Sequence, residues 1–363
     1  MVGSQRCEKA SFQHVNDNHI WKISFLGLFG CRPGGDASQP TVSAHSLVST
    51  MYNSLPVTII GFITLFLLAL RFLNFLYIYI KPSSLYLYQK PGAWALVTGA
   101  SNGIGLGFAR ALSAKGFNVI LHGRNESKLQ RIIADLQKIY PKTLYRIVIA
   151  DASNSHGMNS SIEAIVGSLH DLPGPLTVLI NNVGGAANLP RAFLSLREYT
   201  STDADGVINL NARFTTQLTR ALLPTLSANN QRGLVMNVSS LAGVIGLPYL
   251  SVYGGTKAYL YTWSTSLSRE LAIENIPIEV LSLVVGRVTD TGFLNEPSSI
   301  FTPSNDTLAR AALRRAGCGN VVVAPYWGHG IQWEFVKALP LWLHGLFASA
   351  AVLREKEDEV KRT

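Results

Sequence analysis

A tyrosine and a lysine four residues apart, Tyr253 and Lys257, are the residues of this sequence best suited to acid–base chemistry. That spacing places both side chains on one face of a helix. A free phenol has a pKa of about 10, and a neighbouring ammonium stabilises the phenolate and lowers that pKa. Ser240, 13 residues before the tyrosine, ends an apolar run, where its hydroxyl could bond a carbonyl oxygen that gains charge. Ser239 is the near alternative. The three residues predict proton transfer at a carbonyl oxygen.

A glycine-rich loop, TGASNGIG at residues 98–105, follows the first apolar run and precedes a helical stretch. Glycines allow a tight turn and let backbone N–H groups approach a pyrophosphate at the positive end of the helix. Because a strand precedes and a helix follows, the loop predicts a dinucleotide site. The candidate cofactor residues here are Val97, Gly99, Ser101, Asn102, Gly103, Ile104 and Gly105.

The second apolar run ends in Gly123 and Arg124. Folds that bind NAD place an acidic residue near this point, where it bonds the ribose 2′-hydroxyl. Glycine occupies the acidic position here, and the guanidinium that follows can pair with a 2′-phosphate. The sequence therefore predicts NADP(H) as the cofactor, in preference to NAD.

The third and fourth apolar runs also end in polar residues that suit a dinucleotide. Asp151 is placed to accept a hydrogen bond from the adenine amino group. Asn182 and Gly184 are placed beside the nicotinamide ribose, and Asn182 could also tie two strands together, although either asparagine of the Asn181–Asn182 pair could be purely structural. Lys257, with Tyr253, is a further candidate for contact with that ribose.

The elements that must position these residues alternate in type. Apolar or β-branched runs lie at residues 94–98, 118–123, 144–150, 176–182, 233–239, 277–285 and 320–326. Stretches of helical period separate most of them. This alternation predicts an α/β fold, a doubly wound parallel sheet of about seven strands with helices on both faces, and we assign the catalytic domain to residues 91–326.

An apolar segment at residues 57–80 precedes that domain, and residues 1–56 before it are expected to be irregular. Its 24 residues would span about 36 Å, enough for a hydrocarbon core of about 30 Å. The sequence predicts a transmembrane helix, although Arg71 and Asn74 count against it. A hairpin or a helix lying in the interface is the alternative. Met51, just before the segment, is a candidate start of translation.

The residues that flank the domain bear on its orientation and on the C-terminal segment. Lys81 and Lys90 follow the apolar helix and favour a cytosolic location for the chain after it. Residues 327–363 comprise an apolar and aromatic stretch followed by a charged tail, which we expect to be solvated. The apolar stretch could contact the membrane or cover the substrate site, and we favour an amphipathic segment apposed to the membrane.

Composition excludes several classes of protein. The 363 residues are 47% apolar and 15% charged, too apolar for disorder. The three cysteines lie far apart without a CxxC spacing, which excludes a disulfide scaffold and the usual zinc site. The net charge of +9 comes from dispersed residues, which suits an anionic membrane or a polyanionic ligand better than nucleic acid. The histidines show no metal-ligand spacing, and we interpret most of His14, His19, His156, His170 and His329 as surface or loop residues. We predict no metal.

Together the glycine loop, the NNVG sequence at residues 181–184 and the serine 13 residues before YxxxK resemble the short-chain dehydrogenase/reductase family. The resemblance covers residues 93–290 and implies a Rossmann fold. It also implies a catalytic asparagine, which matches Asn211 of NLNARF with Asn209 as competitor, holding a water behind Lys257. After the sixth strand the family shows Pro-Gly-x-Val-x-Thr, whereas this chain has Val285 in place of proline and retains Gly286 and Val288, which would contact the carboxamide.

Within that family the chain resembles the membrane-bound branch of very-long-chain 3-oxoacyl-CoA reductases and 17β-hydroxysteroid dehydrogenases. The apolar segment before the domain, the valine in LINNVG and the sequence APYWGHGIQWEFV at residues 324–336 carry this resemblance, the last to fungal members. A short loop after Val288 and a basic tail reduced to Lys361 and Arg362 are departures.

The resemblance to this branch implies an NADPH-dependent ketoreductase of the endoplasmic reticulum membrane that faces the cytosol. A long-chain 3-oxoacyl-CoA is the expected substrate, and a steroid or secondary-metabolite ketone is the alternative. Other enzymes of the elongation cycle or a second copy of the chain are the expected partners. A nucleotide-binding scaffold without catalysis is the competing class, and the intact Ser240, Tyr253 and Lys257 argue against it.

Overall fold

The structure, a computed structural model, describes residues 44–154, 157–186 and 189–362. Seven parallel strands form one sheet in the order β3-β2-β1-β4-β5-β6-β7. They are β1 (Trp94–Val97), β2 (Asn118–Gly123), β3 (Tyr145–Ile149), β4 (Leu176–Asn181), β5 (Gly233–Ser240), β6 (Ile278–Val285) and β7 (Val322–Val323). The strand order reverses between β1 and β4, which opens a crevice for ligands at the carboxyl ends of the strands. The predicted doubly wound fold is confirmed.

Helices connect and cover the strands. The helices are α1 (Ala44–Ile80), α2 (Gly103–Ala114), α3 (Glu126–Ile139), α4 (Met158–Gly167), α5 (Ser201–Ile208), α6 (Phe214–Leu226), α7 (Ala242–Ile245), α8 (Ser251–Ile273), α9 (Asn305–Leu313), α10 (Trp327–Ala338) and α11 (Leu341–Arg362). A π-helical turn at Asn209–Arg213 joins α5 to α6. Such turns insert one residue into a helix and often occur at functional sites.

Two hydrophobic clusters cover the two faces of the sheet, which explains the continuous apolar runs of the strands. Side chains alternate between faces along a strand. In β1, Val97 joins a cluster with Phe108 of α2, whereas Leu96 joins a second cluster with Phe214 of α6. Every residue of β1 is buried because both faces are covered.

Helix α1 is longer than predicted and begins at Ala44, not at residue 57. The expectation of irregular structure therefore fails for residues 44–56, while residues 1–43 lie outside the described part of the chain. Residues Leu55–Ile80 form one helix that is long and apolar enough to cross a membrane. The boundary between two compact units of the chain falls inside α1, after Leu65.

The last turns of α1, which belong to the second unit, pack on the catalytic domain. The Tyr79 hydroxyl donates to the Ala324 carbonyl at 2.9 Å, and the buried Arg315 guanidinium donates to the carbonyl of Ile78. Arg71, which counted against a membrane span, forms an ion pair with Glu334 of α10. The end of the apolar helix is thus attached to the domain by polar contacts.

The C-terminal segment forms two helices, which meet at Pro340. The charged tail, which was expected to be solvated, continues α11 as helix to Arg362. One face of α11 packs on the domain through Ala348 and Val352, while Trp342 and Leu346 are exposed. The buried and the exposed residues lie on different faces of α11, and both interpretations of this segment, cover and membrane contact, stay predictions.

Candidate active site

Tyr253 lies in the first turn of α8, and Ser240 is the last residue of β5. The Ser240 hydroxyl is a polar neighbour of the phenol and acts to lower its pKa. The Ser240 hydroxyl also accepts from the Ala242 backbone N–H at 3.2 Å, which fixes its orientation. Ser239, the alternative, is buried and donates to the Lys257 carbonyl at 2.8 Å. The structure therefore brings Ser240 and not Ser239 to the phenol.

Lys257 is buried one turn further along α8. Its ammonium donates to the Val238 carbonyl at 2.8 Å and lies 5.6 Å from the centre of the Tyr253 ring. Burial lowers the pKa of Lys257 to about 8. A lysine with that pKa is still largely protonated at neutral pH, so it can bond ligand hydroxyls as a cation.

The pKa of Tyr253 differs from the sequence-based expectation. Burial raises it above the usual value, and the Ser240 hydroxyl lowers it only in part. Lys257 is not among the causes of this shift, so the expected lowering by the ammonium is not seen, and desolvation of the phenolate sets the direction. The phenol stays protonated at neutral pH, which suits a proton donor.

Asn211 lies in the π-helical turn and is fully buried. Its side-chain oxygen accepts from the Gly185 N–H at 2.9 Å, and its amide donates to the Gly185 carbonyl at 2.8 Å. A Cβ atom at Gly184 would lie 2.7 Å from the Asn211 side-chain oxygen and 3.1 Å from the Lys257 ammonium nitrogen. Asn211, Gly184 and Lys257 therefore meet at one point, whereas the competitor Asn209 is buried at the start of the turn.

The glycine loop has the shape of a phosphate cradle. Gly99 has a φ of +65°, a conformation that side chains rarely adopt. A Cβ atom at Gly105 would lie 2.2 Å from the Gly99 carbonyl oxygen, so only glycine lets α2 begin so close to the loop. Asn182 donates to the Thr98 carbonyl at 2.9 Å and thereby links the ends of β1 and β4. The first amides of α2 have no intrahelical acceptor and are available to an anion.

Two residues that the sequence analysis did not single out shape this cradle. The buried Asn305 donates to the Gly103 carbonyl at 3.1 Å and to the Asp290 carbonyl at 2.9 Å, joining the glycine loop to the loop after β6. The His122 Nδ1 accepts from the Gly99 N–H at 3.4 Å, and burial lowers the pKa of His122 to about 4. Neither stands at a motif spacing, because both act across long sequence separations.

The far end of the cradle fits a 2′-phosphate. Arg124 is 62% exposed and lies 4.0 Å from Asp151. A Cβ atom at Gly123 would lie 3.3 Å from Leu129, which leaves little room for an acidic side chain. Partial burial raises the pKa of Asp151, but hydrogen bonds from Ser153 outweigh this and the net pKa is lowered. The carboxylate is therefore an acceptor at neutral pH.

Further candidate residues lie where β6 ends. Val285 is paired with Ser240 in the sheet, and Gly286 and the buried Val288 follow it. His329, one of the histidines interpreted mostly as surface or loop residues, is completely buried against this loop. Among residues 44–154, 157–186 and 189–362, no group of three or more acidic, cysteine or histidine side chains could hold a metal ion.

A cavity of about 350 Å³ lies beside the start of α8. It is lined by Ser195, Leu196, Pro248, Tyr249, Ser251, Ser349 and Leu353, the last two from α11. The Lys356 ammonium lies 3.8 Å from the centre of the Tyr249 ring, and Glu355 forms an ion pair with Arg287. These contacts hold α11 as one wall of the cavity.

Comparison with known proteins agrees with this geometry. Residues 93–298 match the family model of the short chain dehydrogenases. A very-long-chain 3-oxoacyl-CoA reductase of Eremothecium gossypii is 33% identical over 284 residues, covering 75% of this chain and 78% of that protein. A reductase of the same name from Phaeosphaeria nodorum is 33% identical over 302 residues, covering 80% and 85%.

Solved structures share the fold. One described in a study of 7beta-hydroxysteroid dehydrogenase stereoselectivity superposes with a TM-score of 0.62 at 20% identity, covering 72% of this chain and 98% of that one. A metagenomic short-chain oxidoreductase in complex with NADP has a TM-score of 0.51 at 26% identity, covering 64% and 96%. The resemblance inferred from the motifs is confirmed: the chain is an oxidoreductase of the short chain dehydrogenase family, in the branch of the very-long-chain 3-oxoacyl-CoA reductases.

Proposed function

We propose that this protein is an NADPH-dependent ketoreductase that converts a long-chain 3-oxoacyl-CoA to the 3-hydroxyacyl-CoA. The observation that carries the proposal is the Ser240 hydroxyl beside the Tyr253 phenol, with the buried Lys257 one turn away. A protonated phenol beside a serine hydroxyl can bind and then protonate a carbonyl oxygen. The names of the relatives favour the acyl-CoA as the source of that carbonyl.

In this proposal each side chain has a defined role. When bound, the reduced nicotinamide supplies the hydride that attacks the carbonyl carbon. The Ser240 hydroxyl donates a hydrogen bond to the carbonyl oxygen and stabilises the charge that develops there. Tyr253, which is protonated at neutral pH, donates its proton to that oxygen. Lys257 bonds the ribose hydroxyls, and Asn211 holds a water through which the proton of Tyr253 is replaced.

Arg124 selects the cofactor. Its exposed guanidinium and the absence of an acidic side chain at position 123 favour a ribose 2′-phosphate over a free 2′-hydroxyl. Asp151 accepts a hydrogen bond from the adenine amino group, and the backbone amides at the start of α2 bind the pyrophosphate. The NADP bound to one structural neighbour supports the same assignment.

The membrane provides the substrate. Helix residues Leu55–Ile80 anchor the protein, and we place the catalytic domain on the cytosolic face of the endoplasmic reticulum, in line with Lys81 and Lys90 directly after the helix. An acyl chain dissolved in the bilayer then reaches the cavity walled by α11, while the acidic coenzyme A portion stays in water.

The proposal is tested with the purified full-length protein in detergent or bilayer discs. Oxidation of NADPH is followed with 3-oxoacyl-CoAs of increasing chain length and with steroid ketones, and the products are identified by mass spectrometry. We expect turnover with long 3-oxoacyl-CoAs. Turnover with the steroid ketones alone would identify a steroid ketone as the substrate of the same reduction. The absence of turnover with any ketone would contradict the proposal.

A further inference from the structure

The buried His329 is hydrogen-bonded to the backbone of the loop that follows β6. The Gly286 N–H donates to its Nδ1 at 3.2 Å, and its Nε2 lies 3.0 Å from the Arg287 carbonyl oxygen. One ring therefore contacts two consecutive residues of the loop, once as acceptor and once as donor. This requires the neutral tautomer that carries its proton on Nε2.

The surroundings of the ring keep it in that form. His329 is completely buried, and burial lowers its pKa to about 4. Tyr326 packs edge-on against the ring with 5.4 Å between ring centres. The loop also fits closely, because a Cβ atom at Gly286 would lie 2.8 Å from the ring carbon Cδ2. The imidazole is thus packed against the loop as well as hydrogen-bonded to it.

The loop that His329 contacts follows β6, which is paired with β5, the strand that carries Ser240. Val285, the residue before Gly286, is paired with Ser240, and its carbonyl accepts from the Leu241 N–H at 2.9 Å. On the other side, Asn305 ties the carbonyl of Asp290 to the glycine loop. A shift at Gly286 and Arg287 would therefore change the space between Ser240 and the dinucleotide. The chain lacks the proline that would restrict the backbone at position 285.

We propose that His329 is a positioning residue that fixes the backbone of Gly286 and Arg287, and with it the wall of the site that receives the nicotinamide end of the dinucleotide. The inference rests on the proposed function for the identity of the ligand. It assigns no proton transfer to His329, which lies behind the loop. Its effect is to hold the loop in the one conformation that accommodates the nicotinamide beside Ser240.

The test separates the two ends of the dinucleotide. His329→Phe keeps a ring of similar size and removes both hydrogen bonds. The matched control is His344→Phe, because His344 also contacts two backbone carbonyls, those of Val336 at 2.7 Å and Leu339 at 3.1 Å, but at the junction of α10 and α11. Dissociation constants are measured for NADPH and for 2′,5′-ADP, which carries the adenine and the 2′-phosphate but no nicotinamide.

We expect His329→Phe to weaken NADPH binding by about tenfold or more and to reduce turnover by about 10- to 100-fold, since a small misplacement of a reacting group has effects of that size. The affinity of His329→Phe for 2′,5′-ADP should equal that of the wild type. His344→Phe should match the wild type in its affinity for both NADPH and 2′,5′-ADP. His329→Asn can still accept a hydrogen bond from the Gly286 N–H, so its NADPH affinity should lie between those of the wild type and His329→Phe. It serves as the test if the phenylalanine variant does not fold.

Equal weakening of both ligands, or of neither, would overturn the inference. A wild-type protein that binds neither NADPH nor 2′,5′-ADP would contradict the proposed function instead, so the two failures are distinguishable.

Discussion

Replacing Arg124 with alanine should change the choice between the two nicotinamide cofactors. A charge-assisted hydrogen bond contributes about 1.5–3 kcal/mol, which is roughly 10- to 150-fold in affinity at about 1.4 kcal/mol per decade. The guanidinium is 62% exposed, so solvent screening moves the expected effect toward the lower limit. We therefore expect the dissociation constant of NADPH to rise about tenfold and that of NADH to stay unchanged.

The assay is direct titration of the purified protein with each cofactor, followed by nicotinamide fluorescence or calorimetry at fixed ionic strength. Arg131→Ala is the matched control, because it removes another exposed positive charge, in this case from α3. The control should leave both constants unchanged. Equal losses for NADPH and NADH in Arg124→Ala would refute the assignment of the 2′-phosphate to this guanidinium.

Three further outcomes follow from the structure. Gly184→Ala should lower turnover by about 10- to 100-fold, because the added methyl group would displace Asn211 and Lys257, whereas Gly167→Ala, which meets no atom within 4 Å, should have no effect. NADPH affinity should fall as the pH rises through about 8, since Lys257 loses its proton there, and titrations of Lys257→Met should show no such step. Removal of residues 1–65 should release the protein at least partly from carbonate-washed membranes. Removal of residues 1–80 should also lower the melting temperature relative to removal of residues 1–65, because it deletes the contacts of Ile78 and Tyr79 with the catalytic domain. Equal melting temperatures of the two shortened proteins would contradict the attachment of the end of α1 to the domain.

The strands and the glycine loop were predictable because their signals are local. Strands buried on both faces must be apolar along their whole length, so each one appears as a short continuous run, as in β1. The glycine spacing is equally direct, because Gly105 has no room for a side chain. The positions of Tyr253 and Lys257 follow from the helical repeat alone.

Other features depend on contacts that no local pattern encodes. Asn305 acts on Gly103 across 202 residues, and His329 acts on Gly286 across 43. The apolar composition marks the helix only from residue 57, yet α1 begins at Ala44 and continues through Pro56. The pKa of Tyr253 depends on how completely the fold buries the phenol, which the spacing to Lys257 does not reveal.

The most direct test of the proposed chemistry is the single-turnover rate of Tyr253→Phe at saturating NADPH with a long-chain 3-oxoacyl-CoA. The substitution removes only the hydroxyl and keeps the ring. General acid catalysis contributes about 10²- to 10⁴-fold, so the stopped-flow rate should fall by at least the lower limit while NADPH affinity stays unchanged. A rate within about threefold of the wild type, far inside that range, would contradict the assignment of Tyr253 as the proton donor.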